Sequence, residues 1–192
     1  MKSGLFVAIG IALLFALSVF TTIVMPYMDL LTVPPTAGAR PYTALEEKGR
    51  MIYRREGCYY CHTMQVRRVP DTDAEGRLKR DAKGQIIYKP LPADVVFSDI
   101  GGGPSEPGDY CYDKPHLLGT ERTGPDLFYE GTKRPQKQFH VDHFKDPQSV
   151  EPRSLMPSFD FLTDDELDAL IAFVIMPRGR AVGGAKKGGG LL

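Results

Sequence analysis

Tryptophan is absent from this 192-residue chain, and cysteine occurs only three times. Three cysteines are too few for a disulfide-stapled miniprotein. Neither sign of charge is in excess: 24 Lys and Arg balance 24 Asp and Glu, which argues against a nucleic-acid binder held by bulk positive charge. The chain reads without an internal repeat. Its 42% hydrophobic and 25% charged residues are the profile of a globular protein rather than a disordered one. The length suits one ordinary domain with appendages, not two full domains.

One stretch lacks charge altogether. Ser3 to Met28 is 26 residues with none, and Leu5–Met25 is almost wholly apolar. About 20 such residues let a helix cross the hydrocarbon core of a bilayer. Lys2 before the run and Asp29 after it favour a cytoplasmic N-terminus with the remainder outside. Ala37-Gly38-Ala39 resembles a signal-peptidase site, but the apolar core of a signal peptide covers only about 7–15 residues. The segment therefore reads as an uncleaved anchor over 1–28. Gly4, Ala8, Ala12 and Ala16 share one helix face, a stripe that lets another membrane helix approach closely, although alanine is also common in such helices. On this reading the anchor docks on a larger membrane subunit.

Residues 29–42, with Pro34, Pro35, Gly38 and Pro41, read as a partly stiff linker. Thr43 and Glu46 then form a capping box that opens a helix to about Glu56. Thr163 and Glu166 repeat the device; Leu167, Leu170, Ile171 and Val174 supply an apolar face, and Pro177 stops the helix. A domain over 43–177 thus begins and ends on a helix. It carries 18 basic and 23 acidic residues, a net of −5 that suits a basic partner. Between the helices, 64–122 reads as a long irregular insertion with a short hairpin where Leu78 and Ile86-Ile87 flank Asp81-Ala82-Lys83-Gly84. Gly101-Gly102-Gly103-Pro104 has no strand-to-helix context or following Lys-Ser/Thr, so it is a turn rather than a phosphate loop. The tail 178–192 has six glycines and no acid, and is expected to be mobile.

Cys58-Tyr59-Tyr60-Cys61-His62 has the C-x-x-C-H spacing of covalent c-type haem attachment. Two thiols so spaced can add to the two haem vinyl groups while the adjacent histidine reaches the iron from one face. Zinc is the rival, with Cys58, Cys61, Cys111 and a histidine such as His116 as a ligand set. A thioredoxin-like pair would need a βαβ setting, which is lacking. A disulfide across so short a loop would be strained. The exported setting and the preceding amphipathic helix favour one covalently bound haem c, which leaves Cys111 over with no assigned role.

A sixth iron ligand must come from elsewhere. Met25 and Met28 belong to the membrane segment, Met64 lies too close to His62 to reach the opposite face, and Met51 and Met176 sit in or at the end of helices. His116, His140 and His143 are the histidine candidates. Met156, in an irregular stretch between Pro152 and Pro157, is the choice, and a thioether suits a carrier feeding a strong oxidant. In Gly124-Pro125-Asp126-Leu127, a rigid turn offers the Pro125 carbonyl to the second ring nitrogen of His62. Arg67, Arg68 and Arg122 are candidates to pair with haem propionates, although surface solvation explains any one of them equally well.

The order C-x-x-C-H, GPDL, then Met-Pro before a terminal helix resembles a class I cytochrome c, and Gly49-x-x-x-Tyr53 resembles its close helix crossing. Longer strings are narrower. Gly49-Arg50 with Ile52-Tyr53, Glu56 through Thr63, Gly108-Asp109-Tyr110, Pro115 through Thr120 and Arg122 through Leu127 resemble the mono-haem subunit II of C-family, cbb-type haem–copper oxidases. The resemblance covers about 4–177 and includes the single anchor. It implies a mainly α protein: one N-terminal transmembrane helix, then a class I cytochrome c domain with a long irregular insertion. It also implies a location on the outer, periplasmic side of the bacterial inner membrane. Electrons would pass from a di-haem cytochrome c subunit, fed by soluble cytochrome c, to the catalytic haem–copper subunit, with no oxygen-reducing site on this chain. Cys58 and Cys61 would hold the porphyrin, with His62 and Met156 as axial ligands. The insertion, too long for a minimal cytochrome, is expected to contact partner subunits. Three departures mark a distant branch: Met64 precedes Gln65, Phe139 stands before His140 where tryptophan is expected, and Cys111 replaces an aliphatic residue. Two rivals remain at this stage: the anchored cytochrome c subunit of a nitric oxide reductase, and a zinc-stabilised binding module.

Overall fold

The computed structural model describes residues 2–90 and 103–178. The glycine-rich tail from 179 onward and the first two residues of the Gly101–Gly103 turn lie outside them. The chain forms two compact units, 1–34 and 35–192.

The first unit is an apolar helix, α1 (Lys2–Val19), which passes through a π turn at Phe20–Val24 into α2 (Met25–Leu31). Pro26 explains the π turn. Its nitrogen cannot donate and its ring crowds the carbonyl four residues back, so the ladder widens and the Met25 N–H reaches Phe20 O instead. Thr21 and Thr22 hydroxyls donate to the Leu17 and Ser18 carbonyls, so this polarity is satisfied within the helix. The helix runs to Leu31, beyond the end expected at Met28. Gly4–Leu31 spans 28 residues, about 42 Å at 1.5 Å per residue, so it is long and apolar enough to cross a hydrocarbon core of about 30 Å. The small residues Gly4, Ala8, Ala12 and Ala16 are all exposed along it.

The second unit is built on two crossed helices. In α3 (Ala44–Arg55), the Thr43 hydroxyl accepts from the Glu46 N–H and the Glu46 carboxylate accepts from the Thr43 N–H, as the capping box requires. Arg40 forks onto the same carboxylate at 2.8 and 2.5 Å. Held by these partners, the Glu46 carboxyl falls to about 2. The last helix of the unit (Asp164–Ile175) has the same box at Thr163 and Glu166. The apolar face read from the sequence is buried, and Ala169 and Phe173 join it. Each such large side chain contributes about 1.5–3 kcal/mol. Gly49 permits the crossing: a Cβ there would stand 2.5 Å from the Ala169 carbonyl carbon and 2.9 Å from Phe173 Cβ. Tyr53 lies under the same contact, its ring 5.3 Å from that of Phe173.

Three short helices complete the path, α4 (Glu130–Lys133), α5 (Lys137–Lys145) and α6 (Pro147–Val150), before the terminal helix α7 just described. The fold is thus mainly helical, with an N-terminal apolar helix ahead of a helical domain. The insertion is less irregular than expected. Strands β1 (Arg68–Pro70) and β2 (Tyr88–Pro90) pair antiparallel, and bridges Thr72–Leu78 and Arg80–Ile86 extend them into a solvent-exposed meander. Its two tips are the same turn. Asp73 Oδ1 accepts from the Glu75 and Arg77 N–H groups, and Asp81 Oδ1 accepts from those of Lys83 and Gln85. Gly76 and Gly84 take φ of 79° and 77°. Asp73-Ala74-Glu75-Gly76 and Asp81-Ala82-Lys83-Gly84 therefore form a tandem repeat with a period of eight residues, contrary to the repeat-free reading of the sequence.

Candidate haem site

The C-x-x-C-H turn begins where α3 ends. Gly57, at φ 70°, breaks the helix, and its N–H bonds the Arg54 carbonyl. A 3₁₀ turn, Cys58–Tyr60, follows directly. Cys61 is exposed, and Cys58 is half-buried against the main core. Burial pushes the Cys58 thiol up to about 12. A thioether has no ionised form to desolvate, so this environment suits an alkylated sulfur better than a thiolate.

After Cys61 the chain runs without regular secondary structure to Val66, and every backbone N–H and carbonyl of residues 64–66 finds a partner in residues 105–127. Cys61 O accepts from Gly124 N at 2.9 Å, and Thr63 O from Leu127 N at 2.8 Å. Met64 N donates to Leu118 O at 2.9 Å, and Met64 O accepts from the Tyr110 hydroxyl at 2.9 Å. Val66 exchanges bonds with Ser105 through both its N–H and its carbonyl. A second apolar cluster of Val66, Tyr110, Phe128 and Tyr129 backs this wall. The later part of the insertion is thus the support of the histidine segment.

His62 lies in this cradle. Its Nδ1 is 2.8 Å from the Pro125 carbonyl oxygen, and a carbonyl only accepts, so Nδ1 carries the hydrogen. That tautomer leaves the Nε2 lone pair available for a metal. Gly124 makes room for the ring: a Cβ there would sit 2.7 Å from both Nδ1 and Nε2. Two thiols at the correct spacing and an imidazole already oriented through Nδ1 fit a c-type haem.

The remaining sequence candidates fall as follows. Met156 is half-buried against the main core cluster, as is Cys58. Its loop is tied to the end of α5, because Phe159 N donates to Phe144 O at 2.8 Å and the Ser158 hydroxyl to Lys145 O at 2.7 Å. Met64 and Met176 are core residues, 3% and 6% exposed. Arg68 stacks over Tyr88 at 4.7 Å within the meander, and Arg67 is exposed beside it. Arg122 is turned inward. It donates to the Thr63 hydroxyl at 2.8 Å and to Gln65 O at 2.7 Å, and stands 3.4 Å from Asp126. Among the described residues no group of three or more His, Cys, Asp or Glu side chains gathers to hold a metal ion, so Cys58, Cys61, Cys111 and His116 do not form a zinc set.

Sequence reasoning missed Thr63 and Asp126. The Asp126 carboxylate is buried and accepts from the Thr63 hydroxyl at 2.5 Å and from the Gln65 and Phe128 N–H groups, each at 2.9 Å. Burial pushes its carboxyl upward and these donors pull it back. The clue was an acidic residue directly after the glycine-proline turn. His143, one of the histidine candidates, stacks on Phe139 with ring centroids 5.7 Å apart, and its buried Nδ1 has no hydrogen-bond partner among the described residues.

No curated protein matches the chain. Residues 1–80 and 97–181 match the family model for cytochrome C oxidase, mono-heme subunit/FixO. The unmatched stretch between them opens at Asp81, the first residue of the second eight-residue unit of the meander. With most of its length matched, the chain belongs to that family and is the mono-haem subunit of a cbb-type cytochrome c oxidase.

Proposed function

We propose that this chain is a membrane-anchored electron carrier: it accepts electrons from a di-haem cytochrome c subunit, itself supplied by soluble cytochrome c, and passes them to the catalytic haem–copper subunit. As an oxidase subunit it works in a complex with that catalytic subunit. The reading places one haem c on Cys58 and Cys61, with the domain on the periplasmic face of the bacterial inner membrane and Gly4–Leu31 as its span. The haem supplies one reversible electron at iron. The protein's residues do the rest. Cys58 and Cys61 would hold the porphyrin by thioethers, His62 would offer Nε2, the Pro125 carbonyl keeps the imidazole in one tautomer, and Met156 would offer its sulfur. A methionine sulfur raises the reduction potential relative to a second histidine. Arg67, Arg68 and Arg122 are the proposed propionate contacts. The observation that carries this reading is the 2.8 Å contact from His62 Nδ1 to Pro125 O inside a C-x-x-C-H turn.

The test is a pyridine haemochrome spectrum of the detergent-extracted chain after acid-acetone treatment, with haem counted per polypeptide. One retained c-type haem is expected. A chain that keeps none would refute the carrier reading.

A further inference from the structure

The hydroxyl of Thr63, a residue with no exposed surface, sits between two groups from the loop at the end of the insertion. It donates to Asp126 Oδ2 at 2.5 Å and accepts from Arg122 Nε at 2.8 Å. The same carboxylate oxygen accepts from Gln65 N at 2.9 Å, and Arg122 Nη2 donates to Gln65 O at 2.7 Å. Five polar groups thus close on one another in a site where the Asp126 side chain is 1% exposed and that of Arg122 18%. Burying a charged pair is costly unless every member is satisfied, and apolar packing would hold two segments together at least as well. The strands are also already joined by backbone bonds, Gly124 N to Cys61 O and Leu127 N to Thr63 O. Adhesion alone does not account for the network.

Its position does. Thr63 and Gln65 follow His62, and Asp126 follows Pro125. The network therefore clamps the residues beside both ends of the Nδ1···O contact. We propose that Arg122, Thr63 and Asp126 are positioning residues that set the hydrogen bond from His62 Nδ1 to the Pro125 carbonyl, and through it the basicity of Nε2. This rests on the haem reading given above. A firmly held Nδ1–H···O bond gives the imidazole partial imidazolate character and makes Nε2 a stronger donor, which favours ferric iron. Loosening the clamp weakens that bond and shifts the equilibrium toward ferrous iron.

The experiment is a spectroelectrochemical titration of the full chain in detergent, wild type against Thr63→Val, Thr63→Ser and Arg122→Lys. None of these substitutions alters the formal net charge. Thr63→Val and Arg122→Lys should each raise the ferrous-to-ferric ratio at fixed applied potential about threefold, the lower range of what one hydrogen bond contributes. Thr63→Ser keeps the hydroxyl and should match wild type. Should Thr63→Val not mature, Arg122→Lys decides alone. Unmoved ratios with haem attached, even alongside a lowered melting temperature, would leave the network a purely structural brace and overturn the proposal. A wild-type chain without covalent haem would instead overturn the haem reading on which it stands.

Discussion

Gly124→Ala adds one methyl group at the most constrained point of the site. The new Cβ would press hardest on His62 Cε1 and stand 2.7 Å from both ring nitrogens, and ordinary contact begins at 3.4 Å, so a gap of more than about 0.7 Å must open. Backbone bonds to Cys61 and Thr63 hold the turn, and Pro125 holds the ring, so neither can retreat without loss. Overpacking of this kind costs about 1–3 kcal/mol, and a weakened Nδ1–H···O bond about 1 kcal/mol more. For a domain of this size each kcal/mol lowers Tm by about 2–4 °C, giving a fall of about 4–16 °C. Thermal unfolding of the full chain, followed by circular dichroism at 222 nm and by Soret absorbance, measures it. Gly103→Ala is the control, because a Cβ there meets nothing within 4 Å among the described residues. Equal melting curves for the two variants would refute the claim that Gly124 exists to admit the imidazole.

Three further outcomes follow from the same geometry. Gly49→Ala forces α3 off the Ala169 carbonyl and should cost about 3 kcal/mol or more, read as lost cooperativity in a thermal or urea melt; a near-wild-type midpoint would contradict the crossing described. The Glu46 carboxyl is held at about 2 chiefly by Arg40, below its ordinary 4.5, so its stabilisation is complete above about 4.5 and disappears as pH falls toward 2. Glu46→Gln should flatten the Tm-against-pH curve across that window, and an unchanged slope would count against the pair. In chain made without haem attachment, Cys58, raised to about 12, should alkylate at pH 8 about 10³-fold more slowly than an unperturbed thiol. Exposed Cys61 should label first; peptide mass spectrometry that found equal rates would show Cys58 to be unburied.

What the sequence determined by itself was whatever depends on neighbours along the chain. The apolar run declares a helix long and apolar enough to span a membrane because hydropathy is additive over consecutive residues. The two capping boxes declare helix starts because the orphan N–H groups and the side chains that satisfy them lie three residues apart. The C-x-x-C-H spacing declares haem chemistry because both thiols and the imidazole share one turn. The tandem turn of the meander is equally legible in Asp-Ala-x-Gly at a period of eight, although its units are short and polar. Contacts between distant segments were decided only by the tertiary structure. Arg122 reads as a surface cation until the fold brings Thr63, 59 positions away, within 2.8 Å. Gly124 reads as a turn residue until the His62 ring is laid against it. The part of the insertion from Ser105 onward reads as loop until its groups pair with the segment after Cys61. Buried polar groups must be satisfied by whatever the fold brings beside them, and local sequence carries no record of which partners those are.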